Sequence, residues 1–442
     1  MAIWPHAGRQ RVGGDDTCVA LYEGVRSEHV PSADTLRSLI AMKVLHVYRT
    51  YFPDPEGGLQ EAIRQICRAV EPHGIKSTVF CLSPQPEPAL LCNDGIETWR
   101  SRSFAAPASC DLGGPNAWRL FSQLAKTHDV IQYHFPWPFA DLLHLTVRPR
   151  PRAVLTYHSD IVRQAGLAKL YSPLMWAMLQ SMETIVATSP AYASTSLALT
   201  DSRVRDRVRV IPLGMEDLPR PVSSDSHASD EPYFLFLGVL RYYKGLRTLI
   251  KAAKKVNGKI IIAGAGPEEA TLQSMARLHG VENVEFRGRV SQEEKQRLLA
   301  GCRGLVLPSH QRSEAFGMVL VEAAICGKPM ISCEIGTGTS FVNADGETGI
   351  VVKPDDTAAL AAAMNRLFED ESLAKQYGAA ARKRYEKLFS ANALGAAYAA
   401  LYRGGHSECH ASGSQEIMEL GSLEENTEML TEGTVTHSCN RR

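Results

Sequence analysis

The feature that most constrains the fold is a regular alternation of short apolar runs with amphipathic stretches, which extends from Met42 to Tyr402. Short apolar runs of the kind that forms strands buried on both faces occupy residues 43–48, 78–82, 130–133, 153–157 and 184–187. Segments with apolar residues at helical spacing separate them, as in residues 59–70 and 167–181. Repeated strand-helix alternation requires right-handed crossovers and a parallel sheet. The sequence therefore predicts an α/β fold.

A polar segment rich in Pro and Ser interrupts this alternation, which then restarts. The sequence thus predicts two doubly wound, Rossmann-like domains that face an interdomain cleft. The predicted parts are an N-terminal extension (1–41), a first domain (42–217), a linker (218–232), a second domain (233–389), a helix that returns to the first domain (390–403) and a disordered tail (404–442). Whether residues 1–41 are an appendage or a start-site artefact stays open.

Charge and cysteine content exclude some classes of protein. Lys plus Arg and Asp plus Glu both number 48, so the zero net charge gives no support for a nucleic-acid-binding protein. The 10 Cys residues lack metal-ligand spacing, which favours reduced thiols in a cytoplasm. No apolar run approaches the roughly 18 residues of a spanning helix, and no secretory signal is visible. We expect a cytoplasmic protein.

The strand-loop-helix pattern of residues 304–327 is the main candidate for a binding site. An apolar run at 304–307 is followed by a polar loop and by a helical pattern at 316–326 that stops at Gly327. First-turn amides lack partners within a helix and favour a phosphate there; the amides in question belong to Phe316, Gly317, Met318 and Val319. Glu314 and Glu322 would reach hydroxyls on either side, which describes a nucleotide diphosphate sugar. A plain amphipathic helix with two solvated glutamates is an equal alternative on this stretch alone.

Further candidates follow the carboxyl ends of predicted strands, where open α/β sheets bind ligands. They are Gly57, Gly58, His134 and His158 in the first domain, and Arg241, Lys244, Gly264 and Gly266 in the second. The two cations would clamp phosphate, the histidines would contact a sugar, and Trp137 would offer an apolar face for stacking. The bland alternatives are solvated cations, structural histidines and tight strand-helix turns.

Two other site types have little support. Glu269 stands where a dinucleotide fingerprint starting at Gly264 needs its third glycine, so a Rossmann dehydrogenase is a minor alternative. The chain has no Asp-x-Asp triplet, so no carboxylate pair is predicted to hold a metal-bound diphosphate. The histidines and cysteines of the tail match no standard metal site. We expect no metal and no cofactor other than the nucleotide-sugar co-substrate.

Together these residues resemble the retaining nucleotide-sugar glycosyltransferases with the GT-B fold, of the family 4 type. Glu314-x7-Glu322 looks like the family's signature, supported by Gly57-Gly58, His158, Lys244-Gly245 and Gly264-x-Gly266-Pro267. More narrowly, Tyr-His-Phe-Pro-Trp-Pro, Thr-Tyr-His-Ser-Asp and Leu-Arg-Tyr-Tyr-Lys-Gly are similar to bacterial mannosyl- and rhamnosyltransferases of surface polysaccharide assembly, which use GDP-sugars.

The resemblance implies roles for these residues. Lys244 and Arg241 would hold the diphosphate, although the family's arginine usually follows the strand glycine directly, where this chain has Val239. Glu322 would bind the ribose of the donor. Glu314, together with Phe316 and Gly317, would contact the donor sugar and phosphate. His158 would contact the donor sugar near the reacting carbon. The implied reaction is transfer of a hexose with retention, from a GDP-sugar to a lipid-linked or oligosaccharide acceptor. A nucleotide-sugar epimerase and a non-enzymatic sugar-binding protein remain alternatives.

Two further expectations concern variants and membranes. Because Lys244 and Glu314 are expected to line a cleft, replacing either should leave the fold intact. The basic segment with Arg148, Arg150 and Arg152, followed by Arg163 and Lys169, predicts weak peripheral contact with the anionic inner face of the membrane. A merely solvated basic loop is nearly as good an interpretation.

Overall fold

The computed structural model describes residues 41–54, 57–106, 110–148, 151–161, 165–217 and 231–404, with only the backbone at 165–169. Nearly all of the predicted extension, linker and tail lies outside these residues, and so do Arg150 and Arg163 and the side chain of Lys169. The rest forms two sheets with helices on both faces. None of the described helices is long and apolar enough to cross a membrane.

The first sheet is built around parallel strands of the first half of the chain. Its strands are β1 (Met42–Val47), β2 (Ile75–Ser83), β3 (Leu90–Asn93), β4 (Ile96–Ala105), β5 (Leu112–Gly113), β6 (Val130–Phe135), β7 (Arg152–Tyr157), β8 (Thr184–Ala187) and β9 (Val208–Val210). They lie in the order β3-β4-β2-β1-β6-β7-β8-β9, with β5 beside β4. Only β3 and β5 run antiparallel to their neighbour β4 among the described pairs. The strand order reverses between β1 and β6, so a crevice opens there.

Helices cover both faces of this sheet. They are α1 (Gly58–Val70), α2 (Pro115–Ala125), α3 (Pro138–Thr146), α4 (Ala165–Ser181) and α5 (Pro190–Thr195). The sequence Ser189-Pro190 explains the start of α5: the Ser189 side chain accepts a hydrogen bond from the Tyr192 amide, and Pro190 occupies the first turn.

The second sheet is parallel throughout its described pairs. Its strands are β10 (Tyr233–Leu237), β11 (Lys259–Ala263), β12 (Val284–Gly288), β13 (Gly304–Leu307), β14 (Met330–Cys333) and β15 (Gly349–Val352), in the order β12-β11-β10-β13-β14-β15. The connecting helices are α6 (Leu246–Ala253), α7 (Glu269–Leu278), α8 (Gln292–Gly301), α9 (Met318–Ile325), α10 (Gly338–Val342), α11 (Thr357–Glu369) and α12 (Glu371–Arg384). Here the order reverses between β10 and β13, which places the loops after these two strands side by side.

The last helix, α13 (Ala391–Tyr402), packs on the first sheet. The Tyr398 hydroxyl hydrogen-bonds the Thr156 hydroxyl of β7 at 2.9 Å, and Arg152 donates to the Tyr402 carbonyl at 2.6 Å. The chain enters α13 through a π-helical turn, Tyr385–Phe389. The Met215 amide, at the end of the first domain, bonds the Phe389 carbonyl at 2.9 Å. The two domains are therefore joined at this crossing as well as through the linker.

The structure differs from the sequence prediction at several boundaries. The apolar run that starts at Tyr233 predicts a strand as far as Leu240, but β10 ends at Leu237, because Gly238 has φ +138°, a conformation that only glycine adopts readily. The sequence also predicts a strand over residues 208–212, and the strand found there, β9, ends at Val210. Five elements were not predicted at all: the strands β3, β4 and β5 and the helices α3 and α10. They are short or begin in Pro- and Gly-rich sequence, where the apolar period is weak.

Candidate active site

The loops that follow β10 and β13 meet at the reversal point of the second sheet. The His310 amide bonds the Tyr243 carbonyl at 3.0 Å, which fixes one loop to the other. Gly245 has φ +69°, and a Cβ there would overlap the Pro308 carbonyl oxygen. Only glycine allows this approach, so the sequence Lys244-Gly245 places the lysine beside the loop that carries Glu314.

Lys244 and Glu314 form a buried ion pair. The Lys244 ammonium bonds Glu314 Oε2, and the two side chains are only 12% and 11% exposed. The Ser309 hydroxyl donates to the same carboxylate oxygen at 3.3 Å. Burial by itself lowers the pKa of Lys244, but the carboxylate of Glu314 and the neighbouring Tyr243 together outweigh burial and raise the pKa above its usual value. The structure thus brings two predicted site residues together as a charged pair.

This burial changes the expectation for variants. We expected that replacing Lys244 or Glu314 would leave the fold intact because both would line an open cleft. Each instead neutralises a charge that is largely removed from water, so removing one partner leaves the other buried and uncompensated.

The predicted anion-binding helix end follows the loop that carries Glu314, but the helix starts later than predicted. α9 begins at Met318 and is capped by Gly317, whose φ is +81°, rather than beginning at Phe316 as predicted. The Phe316 ring is buried against Phe389, so only its backbone is available to a ligand. Met318 and Val319 are partly exposed and open the helix, and their amides belong to the turn without intrahelical partners. The anion-favouring end of α9 therefore starts two residues later than predicted.

Glu322 lies on the next turn of α9. It accepts a hydrogen bond from Lys295 of α8 at 3.0 Å and is 9% exposed. Arg241, in contrast, is exposed at the entrance of the short turn Tyr242–Lys244. The predicted roles of both residues in binding ribose and diphosphate stay predictions.

The candidate glycines differ in what surrounds them. A Cβ at Gly264 would overlap the Gly238 carbonyl, and a Cβ at Gly266 would lie 2.6 Å from the backbone of Leu240. Close packing of neighbouring loops is therefore a sufficient reason for both glycines. Gly57 caps α1, and a Cβ at Gly58 would meet nothing within 4 Å. A ligand can therefore approach the backbone at Gly58. No side chain caps the start of α1, so its first-turn amides would favour an anion there.

His158 lies directly after β7 and is almost buried. Its Nε2 atom is 2.9 Å from Nδ1 of His134. Trp137 is 1% exposed and donates from Nε1 to the Asp111 carbonyl, so the prediction that its face stacks on a sugar is wrong. The sequence shows that Trp137 follows a strand but not that its ring turns inward among Phe80 and Phe139.

A contact that was not predicted joins the two domains beside these residues. Arg312, in the loop before Glu314, donates to Asp160 Oδ2 from Nη2 at 3.1 Å and from Nε at 3.3 Å. The same guanidinium bonds the Thr195 hydroxyl at 2.9 Å and the Gly336 carbonyl at 2.6 Å. Asp160 is two residues after His158, so this bridge holds the His158 loop against the Glu314 loop. The sequence Thr-Tyr-His-Ser-Asp drew attention only to its histidine.

Among the described residues, no group of three or more His, Cys, Asp or Glu side chains could hold a metal ion. The cysteines outside the masked segments are free thiols, and Cys67, Cys81, Cys302 and Cys333 are buried. The tail histidines and cysteines lie outside the described residues.

Comparison with known proteins agrees with this geometry. Residues 56–217 match the family model for Glycosyltransferase Family 4, and residues 222–384 match that for Glycosyl transferases group 1. O-antigen chain mannosyltransferase C of Escherichia coli is 42% identical over 366 residues, which cover 82% of this chain and 98% of the relative. The D-rhamnosyltransferase WbpZ of Pseudomonas aeruginosa is 44% identical over 354 residues, covering 79% and 93%.

Solved structures show the same architecture. HepE of Anabaena, in complex with UDP-glucose, aligns with a TM-score of 0.68 at 18% identity over 82% of this chain and all of that one. WaaG, a glycosyltransferase involved in lipopolysaccharide biosynthesis, aligns with a TM-score of 0.61 at 17% identity, covering 82% and 100%. The predicted fold is confirmed, and the epimerase and sugar-binding alternatives are not favoured. The chain belongs to the family 4 glycosyltransferases and has their GT-B fold.

Proposed function

We propose that this glycosyltransferase moves mannose or a rhamnose-like hexose from a GDP-sugar, with retention and without a metal ion, to a lipid-linked or polysaccharide acceptor of the cell surface. The observation that carries the proposal is the Lys244–Glu314 pair at the reversal point of the second sheet, beside the start of α9. The likeness to a mannosyltransferase and a rhamnosyltransferase over nearly their whole lengths supports the choice of sugar.

The paired state suggests how a donor would bind. A diphosphate would take over the ammonium of Lys244 and lie against the amides of Met318 and Val319, since cations and helix N-termini both favour phosphate. Glu314 would then lose its cation and accept hydrogen bonds from sugar hydroxyls instead. The departing diphosphate would be stabilised by the same groups without a metal.

A panel of nucleotide sugars tests this function. The purified protein is incubated with each donor and with a lipid-linked acceptor, and the transferred residue is identified by mass. We expect transfer from GDP-mannose or a GDP-deoxyhexose, and NMR of the product should show the anomeric configuration of the donor. Conversion of a donor without acceptor would indicate an epimerase, and transfer only from UDP-sugars would overturn the GDP assignment.

We also propose weak contact of the first domain with anionic membranes through Arg148 and Arg150, on the inner face of the cytoplasmic membrane. Arg148 is exposed. Arg152, in contrast, is held by Glu183 and by the end of α13, so replacing it would disturb packing as well as charge. The membrane contact therefore has to be tested without changing Arg152.

The test is co-sedimentation with anionic vesicles at low and high salt. Each cation near such a surface contributes about 1 kcal/mol, and salt screens it. We expect the double variant Arg148→Ser, Arg150→Ser to bind less at low salt. The control double variant Lys254→Ser, Lys255→Ser removes two exposed cations of the second domain and should bind normally. Equal binding by the two double variants would reject the contact.

A further inference from the structure

Three histidines form a row in the first domain, which starts at His158, two residues before the Asp160 that contacts Arg312 of the second domain. His46 Nδ1 lies 3.2 Å from His134 Nε2, and His134 Nδ1 lies 2.9 Å from His158 Nε2. The rings are stacked, with centroids 5.5 Å apart for His46 and His134 and 5.2 Å apart for His134 and His158. His46 and His134 are 0% and 1% exposed, and His158, at 6%, is the most exposed of the three.

The sheet explains why these side chains meet. β1, β6 and β7 are neighbours, and His46 lies opposite Gln132 in the register. Gln132 and His134 are two residues apart, so they point to one face, and the same holds for Thr156 and His158. That face is covered by α13, where the Tyr402 ring meets His46 edge to face. The helix that crosses back from the second domain thus closes the inner end of the row.

All three rings are neutral at physiological pH. Burial lowers the pKa of His46 and of His158 to about 3. Burial and the two flanking histidines together lower the pKa of His134 well below its usual value. A neutral imidazole has one N–H donor and one bare acceptor nitrogen. Each of the two N···N contacts joins an Nδ1 atom to an Nε2 atom, so both are hydrogen bonds only if all three rings carry the proton on the same nitrogen.

We propose that His134 and His46 are positioning residues that fix the ring orientation and the proton position of His158 at the donor site. Nε2 of His158 is hydrogen-bonded to His134, which leaves Nδ1 as the nitrogen that would contact the ligand. Whether that nitrogen donates or accepts is then coupled to the state of His46, two rings inside the domain. A sugar hydroxyl would meet one defined partner rather than an imidazole that exchanges its proton with water. This inference rests on the proposed function for its effect on catalysis, but not for the coupling itself.

Nitrogen-15 NMR of the histidine rings in the ligand-free protein tests the coupling. We expect His46, His134 and His158 to show the same tautomer at pH 7, each as a single form and not as a fast-exchanging average. His144 is a suitable internal reference, because it is buried but bonded instead to Tyr133 and Ser181. Different tautomers among the three rings, or an averaged signal for His158, would overturn the proposal.

Variants then separate positioning from mere packing. His46→Phe keeps a ring but removes the nitrogen that contacts His134, and should change the His158 ring signals. It should also lower kcat about tenfold, at the low end for loss of a group that orients a functional ligand, with little change in donor KM. His46→Asn offers an amide group to His134 and should restore both readouts.

The matched control is Thr156→Val. It removes a buried hydroxyl bonded to Gln132 and Tyr398 on the same sheet face, and should leave the His158 signals unchanged. Unchanged His158 signals in His46→Phe would refute the coupling even in a fully active enzyme. Failure of the transfer assay in the wild type would refute the proposed function and leave the NMR result standing.

Discussion

A double-mutant cycle on Lys244 and Glu314 separates the stability of the site from its chemistry. Breaking a buried pair by removing one partner costs about 3–5 kcal/mol. Both side chains retain slightly more than a tenth of their exposure. Some water therefore reaches the pair, and we expect each of Lys244→Met and Glu314→Gln to cost about 2–3 kcal/mol, at or below the low end of that range.

The double variant should recover most of this loss. Replacing both partners with neutral side chains of similar volume leaves no uncompensated charge, which is often neutral for stability. If the double variant costs no more than about 1 kcal/mol while the two single costs sum to about 4–6 kcal/mol, the interaction free energy is at least about 3 kcal/mol, at the top of the range for residues in direct contact. None of the three variants should transfer sugar, because the double variant restores neutrality but not the proposed phosphate and sugar contacts.

Urea unfolding of the four proteins at pH 7.5, followed by circular dichroism, measures the cycle, and mass analysis of product measures transfer. The raised pKa of Lys244 keeps the pair charged at this pH; its contribution is present below the ordinary lysine value and is lost only as pH rises through the folded value. Additive destabilisation in the double variant would show that the pair is not coupled. Substantial transfer by the double variant would remove both residues from the proposed site.

Glu322, the question of a metal, the buried histidines and Arg312 give the remaining predictions. Glu322→Ala should raise donor Kd more than it lowers kcat; isothermal titration with unchanged Kd would exclude the ribose role. Sugar transfer should continue in the presence of EDTA. Loss of transfer with EDTA that added Mg²⁺ restores would contradict the metal-independent mechanism. The free energy of unfolding should fall as pH drops below about 6.5, because only the unfolded forms of His46 and His158 take up protons there. Each of the two should contribute about 1.4 kcal/mol per pH unit. Urea midpoints measured from pH 7 to 4.5 should therefore depend less steeply on pH in His46→Phe than in the wild type. Arg312→Lys cannot keep the branched contacts to Asp160 and should lower kcat by up to about 100-fold through misalignment, with a larger radius of gyration in solution scattering.

The sequence was sufficient for the fold because its determinants are local. Buried parallel strands are continuous apolar runs, and residues 233–237 and 304–307 show this without reference to the rest of the chain. The start of α9 was misplaced by two residues because Phe316 continues the apolar period. The left-handed Gly317 ends that continuity, and backbone conformation is not visible in hydrophobicity.

The site was only partly predictable because its contacts are long-range. Lys244 and Glu314 are 70 residues apart, and their approach depends on the glycine that allows two loops to touch. The inward turn of Trp137 and the bridge from Arg312 to Asp160 depend on packing between elements distant in sequence. Strand-end position identified where a functional residue would lie, but not whether its side chain is exposed, paired or buried.

The pairing of charges at the proposed donor site bears on how the enzyme would release its product. Lys244 is neutralised by Glu314, and Glu322 accepts from Lys295. A diphosphate that binds as proposed would therefore compete with carboxylates already in place. Replacing Glu314 by the diphosphate as the partner of Lys244 would be favourable when the sugar offers hydroxyl donors to Glu314. A buried carboxylate without hydrogen-bond donors has an unfavourable free energy. Once the sugar has been transferred, the nucleoside diphosphate no longer supplies those hydroxyls. Return of Glu314 to Lys244 would then oppose the bound product, so the same ion pair would assist product release.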